Sequence, residues 1–351
     1  MIEFPGTTVA LTRLAADPTG RTIRAGGTDL QERRHLGLAG GPIVDLRDVA
    51  ELDVIVVHNE ALRLGSRVQI TTLATDPEVG ERWPGLAAAA GHLATPEIRN
   101  QATLGGNLLQ HVRCWYFRRP GARCFQAGGD RCDARAGDHS QHACIDLGPC
   151  IAPHPSTLAV ALTAYEAEIE VAGAPSGERW PIAALYGDGS DPRRPHRLPP
   201  GAVLLQVHVP RALPGERAAF HRTSSRTRAE WPIAEAVVRV VVNDGAIRFA
   251  RVAVGGVANI PLRLVAVEQR LLAQKPTPEL LAGAAALAGQ DGESPPQSSY
   301  KLQILRATIL TALESALEQP MSQPVQPVQP VQPVKPAKPT PASPVPEDIQ
   351  R

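Results

Sequence analysis

Outside residues 114–150 this 351-residue chain has no cysteine. Lysine is nearly missing as well: Lys275, Lys301, Lys335 and Lys338 are the only ones, so the basic charge is almost all arginine. With 34 prolines beside it, that bias makes any single arginine a weak signal. No apolar run approaches the roughly 20 residues that a membrane-spanning helix needs. The start, Met1-Ile-Glu-Phe-Pro-Gly, lacks the basic head and apolar centre of a secretory signal. These absences make the cytoplasm the expected compartment, with export only if a signal-bearing partner subunit carries the chain to the periplasm. A formal net charge of +1 gives no electrostatic case for nucleic acid or an anionic membrane. No Ser-His-Asp set, paired carboxylates, hydrolase metal motif or P-loop stands out.

What is present is an ordinary globular composition, 43% hydrophobic and 20% charged, in a chain long enough for two domains. Thr22-Ile23-Arg24 and Pro42 to Leu46 read as strands. Residues 52–57 and 62–65, around His58-Asn59-Glu60, read as a hairpin. Pro84 starts a helix over the alanine run from Gly85, and Pro96 is expected to stop it. Ser156 is placed to cap an apolar helix to Ala164. Residues 169–171 and 203–209 read as strands, and 179–200, with five prolines, as a surface loop. A second domain is expected from Pro214. Its strands 234–242 and 246–254 are joined by Asn243-Asp244-Gly245, a strong hairpin signal. Helices follow at about 261–273, 277–289 and 299–318. From Gln319 the chain repeats Gln-Pro-Val and then alternates lysine and proline. That tail cannot bury a core and is expected to be extended, either as a solubilising arm or as a docking ligand.

Two glycine loops carry a possible chemistry. Ala25-Gly26-Gly27-Thr28-Asp29-Leu30 follows a strand and precedes a helical stretch. Paired glycines admit a ligand close to the backbone, and successive N–H groups in such a turn suit phosphate oxygens. A plain strand-to-helix turn is the alternative. Thr103-Leu104-Gly105-Gly106-Asn107 repeats the pattern. Two such loops in one domain suit a dinucleotide.

The cysteines run Cys114-x9-Cys124-x7-Cys132-x17-Cys150, with Cys144 inside the last gap. They form no C-x2-4-C zinc knuckle and no plant-type ferredoxin spacing. Five clustered cysteines in a chain this long are not a disulfide framework. The segment is poor in apolar residues, so it is expected to need something to wrap around. Scattered thiolates on an irregular loop suit a polynuclear cluster; unligated thiols or a chance zinc site are the alternatives. His111, His139, His142 and His154 lie nearby and read as solvated loop residues or as tuners of a redox group.

Taken with Ile98-Arg99-Asn100 between them, the two glycine loops resemble the FAD-binding subunit of the molybdenum hydroxylases: the xanthine dehydrogenase, aldehyde oxidoreductase and carbon monoxide dehydrogenase family. Val254-Gly-Gly-Val-Ala-Asn-Ile-Pro-Leu-Arg263 and Tyr300-Lys301 extend the resemblance over about residues 1–318. It implies an α+β chain: a vanillyl-alcohol-oxidase-type two-part FAD-binding domain over 1–213, a small α+β domain over 214–318 and a disordered proline-rich tail over 319–351. It carries FAD contacts onto Arg24, Ala25, Gly26, Gly27, Thr28, Asp29 and Leu30, and onto Thr103, Gly105, Gly106 and Asn107. Arg222, with Arg228 near it, is implied to approach the flavin ring; a solvated basic loop is the alternative.

Arg113-Cys114-Trp-Tyr-Phe-Arg118 and Gly148-Pro-Cys150-Ile-Ala-Pro-His154-Pro-Ser resemble one branch of that family, whose insertion binds a 4Fe–4S cluster. It includes periplasmic-type aldehyde oxidoreductases and 4-hydroxybenzoyl-CoA reductases. The resemblance places the insertion at 111–152, makes Cys114, Cys124, Cys132 and Cys150 ligands, and leaves Cys144 aside. Thr157 departs from the branch, which often has Asp there. The implied role is an electron-transfer subunit. It would serve with a 2Fe–2S small subunit and a molybdopterin large subunit, and deliver to a small-molecule or protein acceptor. A flavin subunit of a CoA-ester reductase, or a non-catalytic assembly subunit, are the other readings.

Overall fold

The computed structural model describes residues 1–17, 20–173, 179–227, 229–290 and 292–318. The proline-rich tail and Arg228 lie outside the described residues.

Three sheets organise the chain. The first is a small parallel sheet in the order β1–β3–β2, built from β1 (Ile2–Glu3), β2 (Thr22–Arg24) and β3 (Ile43–Asp45). The helix Thr8–Ala15 makes the crossover, its N-cap Thr7 accepting from Ala10 N. Leu11, Val44, Leu46 and Leu52 form a compact core under this sheet. Its outlet is the loop after β2.

The second sheet is antiparallel and five-stranded. It holds β4 (Ile55–His58), β5 (Ala61–Gly65), β6 (Glu168–Ala172), β7 (Arg179–Pro181) and β8 (Val203–Val209), in the order β4–β5–β8–β6–β7. The β4–β5 hairpin closes through Asn59 and Glu60, both with positive φ, as a primed two-residue turn requires. The stretch 179–200, expected to be a loop, supplies edge strand β7 and the helix Ile182–Tyr186. Its prolines fall at the strand's end and beyond the helix, where they break nothing. Pro96 likewise starts a new turn of helix, Pro96–Arg99, because Thr95 is extended and caps Ile98 N.

The third sheet is β12–β11–β10–β9, made of β9 (Glu216–Thr223), β10 (Ala234–Asn243), β11 (Ala246–Gly255) and β12 (Leu262–Arg263). The β10–β11 turn passes through Asp244 and Gly245 with φ 51° and 70°. Strand β9 went unread in the sequence, and residues 262–263, expected to be helical, form edge strand β12. The helix begins only at Val265. The long helix Lys301–Glu318 lies across β9 and β10.

One helix joins these parts. Thr157–Ala164 is buried at all eight positions. It packs on the helix Pro84–His92 on one side and on β10 and β11 on the other. A helix that is apolar all round is stable only in such a fully enclosed place. Its Ser156 cap accepts from Ala159 N at 3.0 Å and donates to Asn107 Oδ1 at 2.7 Å, so the helix start is fixed to the second glycine loop. Among the described residues no helix is long and apolar enough to cross a membrane.

Candidate functional site

Strand β2 ends at Arg24, whose guanidinium pairs with Asp45 at the end of β3. The chain then turns through Ala25–Asp29, with Gly27 at φ +75°. Among the described residues, no backbone N–H from Ala25 to Asp29 donates to another group of the chain. A run of unused donors in a turn is what an anionic ligand needs. Leu30 is buried and opens the helix Leu30–His35.

The second loop is bonded differently. Leu104 N donates to Val68 O at 2.9 Å, Gly105 N to Ser66 O at 2.7 Å and Gly106 N to Thr103 Oγ1 at 3.2 Å. Its N–H groups from Leu104 to Gly106 are bonded within the chain, unlike those of the first loop. The glycines also have internal reasons. A Cβ on Gly26 would stand 1.8 Å from Gln101 O, and one on Gly105 would stand 2.8 Å from Ser66 Cβ. Gly26 is thus pressed against the backbone just before the second loop, and Gly105 against Ser66.

Gly26→Ala is therefore expected to part these backbones and weaken retention of the flavin that the sequence resemblance implies at least tenfold, about 1.4 kcal/mol. Gly40→Ala, which meets nothing within 4 Å, is the control. Flavin absorbance per protein after gel filtration reads both. Equal retention in the two variants would show that the loop contact is dispensable.

Three cavities run past the first loop and share its residues. One of about 530 Å³ touches Arg24–Gly27 and Thr103. One of about 130 Å³ lies between Gly26 and Gly105. The third, about 420 Å³, is walled by Thr28, Asn107, Thr157 and Arg222. The Ser66 Oγ at the middle cavity is buried without a partner. An elongated cleft with free donors at its waist suits an extended dinucleotide. Arg222 reaches this cleft from β9. Its guanidinium donates to His92 O at 3.1 Å and to Glu230 O, while Nε is buried without a partner. Burial holds its pKa below the usual arginine value, and Glu235 opposes that.

The Asp29 carboxylate is engaged within the protein. It is paired with Arg33 at 2.9 Å, Arg113 at 2.9 Å and Arg118 at 3.0 Å, and accepts from His111 N at 3.3 Å. Burial pushes its carboxyl up, but Arg113, Arg33 and Arg118 outweigh it and hold the pKa below the ordinary value. Asp29 thus ties the first loop to the cysteine segment.

That segment has more structure than its composition suggested. Short helices cover Trp115–Arg118 and Asp133–Ala136, and Cys124 bridges Cys132 as an antiparallel pair. Cys114, Cys124 and Cys150 share a small apolar cluster with Val112, Phe117 and Ala152, while Cys132 is half-buried. All five thiols are unpaired. Burial pushes the Cys114 thiol up to about 11 and Cys150 to about 12, and raises Cys124. Each of these also feels Cys132, and Cys150 feels all three others. Ionising such a set is unfavourable unless a cationic centre sits among them.

Among the described residues no three His, Cys, Asp or Glu donors converge on a single metal ion. A cubane takes one thiolate per iron, so its ligands stand further apart than those of one ion. Cys144 lies elsewhere, in the core beneath β10 and β11, where burial lifts its pKa to about 11 against the pull of Lys301.

The histidines are not solvated as expected. His139 is satisfied by Ala134 O, Gly137 O and Gln297 N. His142 places Nε2 at 3.2 Å from Cys114 Sγ, and burial lowers its pKa to about 4. His111 stacks on Phe117, and His154 stands edge-on to Tyr186; burial lowers both to about 3. Thr157 donates from Oγ1 to Glu235 Oε2 at 3.0 Å. Nothing in the sequence pointed to Glu235, which is 78 positions away.

The comparisons agree with this architecture. A family model described as "FAD binding domain in molybdopterin dehydrogenase" matches residues 3–212, and "CO dehydrogenase flavoprotein C-terminal domain" matches 219–315. The chain is 31% identical over 309 residues to the aldehyde oxidoreductase FAD-binding subunit PaoB of Escherichia coli K12, covering 86% of this chain and 92% of that protein. Its fold is similar to a chain of carbon monoxide dehydrogenase from Hydrogenophaga pseudoflava, with TM-score 0.69, 22% identity and coverage of 90% and 96%. It is also similar to a chain of quinoline 2-oxidoreductase from Pseudomonas putida 86, with TM-score 0.67, 21% identity and coverage of 90% and 97%.

Proposed function

From the premise that this chain belongs to the family of FAD-binding subunits of molybdopterin dehydrogenases, we propose a specific site and a place in a complex. The chain is a flavin-carrying electron-transfer subunit of an oxidoreductase. Bound flavin supplies the exchange between one-electron and two-electron transfer.

The FAD pyrophosphate lies on the N–H run of Ala25–Asp29. The observation that carries this is that run of unused donors facing a chain of three cavities. Arg24 and Leu30 frame the turn, and Thr103, Gly105, Gly106 and Asn107 form the opposite wall. Arg222 brings positive charge to the cavity walled by Thr28, Asn107 and Thr157, where negative charge builds up on reduction. The domain is read as a vanillyl-alcohol-oxidase-type flavin domain over 1–213, followed by a small α+β domain over 214–318.

Cys114, Cys124, Cys132 and Cys150 hold a 4Fe–4S cluster in the insertion 111–152. Supporting this are the apolar cluster that Cys114, Cys124 and Cys150 share, the lack of disulfides in all four and their mutual electrostatics. Electrons enter from 2Fe–2S clusters of a small subunit that takes them from a molybdopterin large subunit, and leave to a small-molecule or protein acceptor. The complex works in the cytoplasm, or in the periplasm if a partner's signal exports it.

The expected outcome of anaerobic purification is a yellow-brown protein with flavin bands over a broad iron–sulfur shoulder. Cys132→Ser is expected to lose its iron and keep its flavin. A colourless protein would sink the flavin site. Equal iron in Cys132→Ser and the parent would sink the ligand set alone.

A further inference from the structure

Glu235 is the second residue of β10 and is 1% exposed. It sits directly across the ladder from Arg222 on β9. Behind the cavity of about 420 Å³ it meets Thr157, whose Oγ1 donates to Oε2 at 3.0 Å. Thr157 and Arg222 both line that cavity, so Glu235 acts on it only through them.

The surroundings of Glu235 hold little that would keep it ionised. Among the described residues it forms no ion pair, because the Arg222 guanidinium donates to the carbonyls of His92 and Glu230 instead. The helix Thr157–Ala164 carries no ionisable group. Strand β11 faces Glu235 with Gly255, where even a Cβ would stand 2.8 Å from Oε1. Lys301 donates to Gly256 O, His142 O and Gln141 O. His92 and His221 stand on the Arg222 side, and His221 is held below its usual pKa by burial and by His92. A carboxylate with one hydroxyl donor and no cation in contact is costly to bury, and the neutral acid is not. Burial accordingly raises the Glu235 pKa, with Arg222 and Thr157 opposing.

We propose that Glu235 is a positioning residue for the flavin site: it keeps its proton at neutral pH behind Thr157, so that the Arg222 charge on the cavity wall is left uncancelled. The inference rests on the flavin reading above. When pH rises far enough to ionise Glu235, a buried negative charge appears opposite Arg222. The cavity then favours added electrons less, and reduction becomes harder.

The test is the midpoint potential of the flavin in the loaded complex, measured against pH for the parent, Glu235→Gln and Thr157→Val. At neutral pH the Gln variant, a neutral isostere, is expected to match the parent. As pH rises the parent's potential is expected to fall more steeply than that of Glu235→Gln. In Thr157→Val, which removes the donor that favours the carboxylate, the extra fall is expected at higher pH. A more positive potential for Glu235→Gln at neutral pH would show that the group is already charged and would overturn the proposal. So would curves that superimpose throughout. If Glu235→Gln does not fold, Thr157→Val carries the same decision: an unmoved break overturns the proposal. A parent complex without flavin in this chain overturns the flavin reading, and this proposal with it. Bound flavin with superimposed curves overturns only the proposal.

Discussion

Asp29→Asn is expected to cost about 3 kcal/mol, the low end for breaking a buried ion pair. The substitution keeps the shape and removes the charge that three guanidinium groups share. Arg113 and Arg118 retain Glu32, at 3.3 and 2.8 Å, but Glu32 is half exposed and screened. Arg33 keeps no acid partner among the described contacts. For a cooperative unit of 150–250 residues that loss lowers Tm by about 6–12 °C.

The consequence reaches both proposed cofactor sites, because Asp29 ends the free N–H run and also anchors Arg113 and Arg118, which flank Cys114. Flavin and iron content are expected to fall together, unlike in Cys132→Ser, where only iron falls. Arg33→Gln, which leaves Asp29 two partners, is expected to cost less than half as much. A Tm within 2 °C of the parent and full flavin in Asp29→Asn would show that the arginines find solvent instead.

The sign of the pH dependence follows from the depressed pKa. A carboxyl whose folded pKa lies below its unfolded value stabilises fully above the unfolded value, about 3.9 for Asp, and loses that stabilisation as pH falls through the folded pKa. The Tm gap between the parent and Asp29→Asn is thus expected to be constant near neutrality. It should close on acidification below about pH 4.

Which features the sequence revealed depended on how far their cause reached along the chain. The β10–β11 hairpin was legible because Asn243-Asp244-Gly245 supplies the positive φ values by itself. The Ser156 cap was legible for the same local reason. Strand β9 was not, since Ala218, Ala219 and Arg222 show no clean alternation and owe their pairing to β10. In the first glycine loop no backbone N–H from Ala25 to Asp29 is bonded within the chain, among the described residues. The second loop, with nearly the same pattern, spends its donors on Ser66 and Val68, which only the tertiary bridge between Gln69 and Thr103 brings near. Asp29 belonged to a recognisable motif, yet its role as an arginine hub depends on residues 84 and 89 positions away. The pairing of Thr157 with Glu235 needed the helix wedged onto β10. Local chemistry therefore named the loops, and the fold set which of their N–H groups are bonded within the chain.

Glu216→Gln is expected to destabilise the protein by roughly 3–5 kcal/mol, the range for leaving a buried charge without its partner. Glu216 on β9 and Arg239 on β10 form a two-pronged pair at 2.7 and 2.8 Å, each with a side chain only 4% exposed. The guanidinium lies over Tyr165 at 4.5 Å and Phe249 at 5.2 Å, so water cannot replace the lost carboxylate. Another of its N–H groups, on Nη1, donates at 2.9 Å to Ala164 O, the last carbonyl of the buried helix. That bond closes a line of contacts: Arg239 holds the helix end, Ser156 holds its start, and Ser156 fixes Asn107 on the flavin wall. Loosening Arg239 is therefore expected to lower flavin retention as well as Tm. The double variant Glu216→Leu with Arg239→Met separates two explanations. If the single loss is the stranded charge, two apolar side chains of similar length recover most of the stability. The bond to Ala164 O stays broken, so flavin retention recovers less than Tm does. Urea unfolding read by tryptophan fluorescence, beside flavin release, measures both. A single-variant cost under about 1 kcal/mol, the ceiling for exposed pairs, would mean that this pair is solvated and that the helix end does not depend on it.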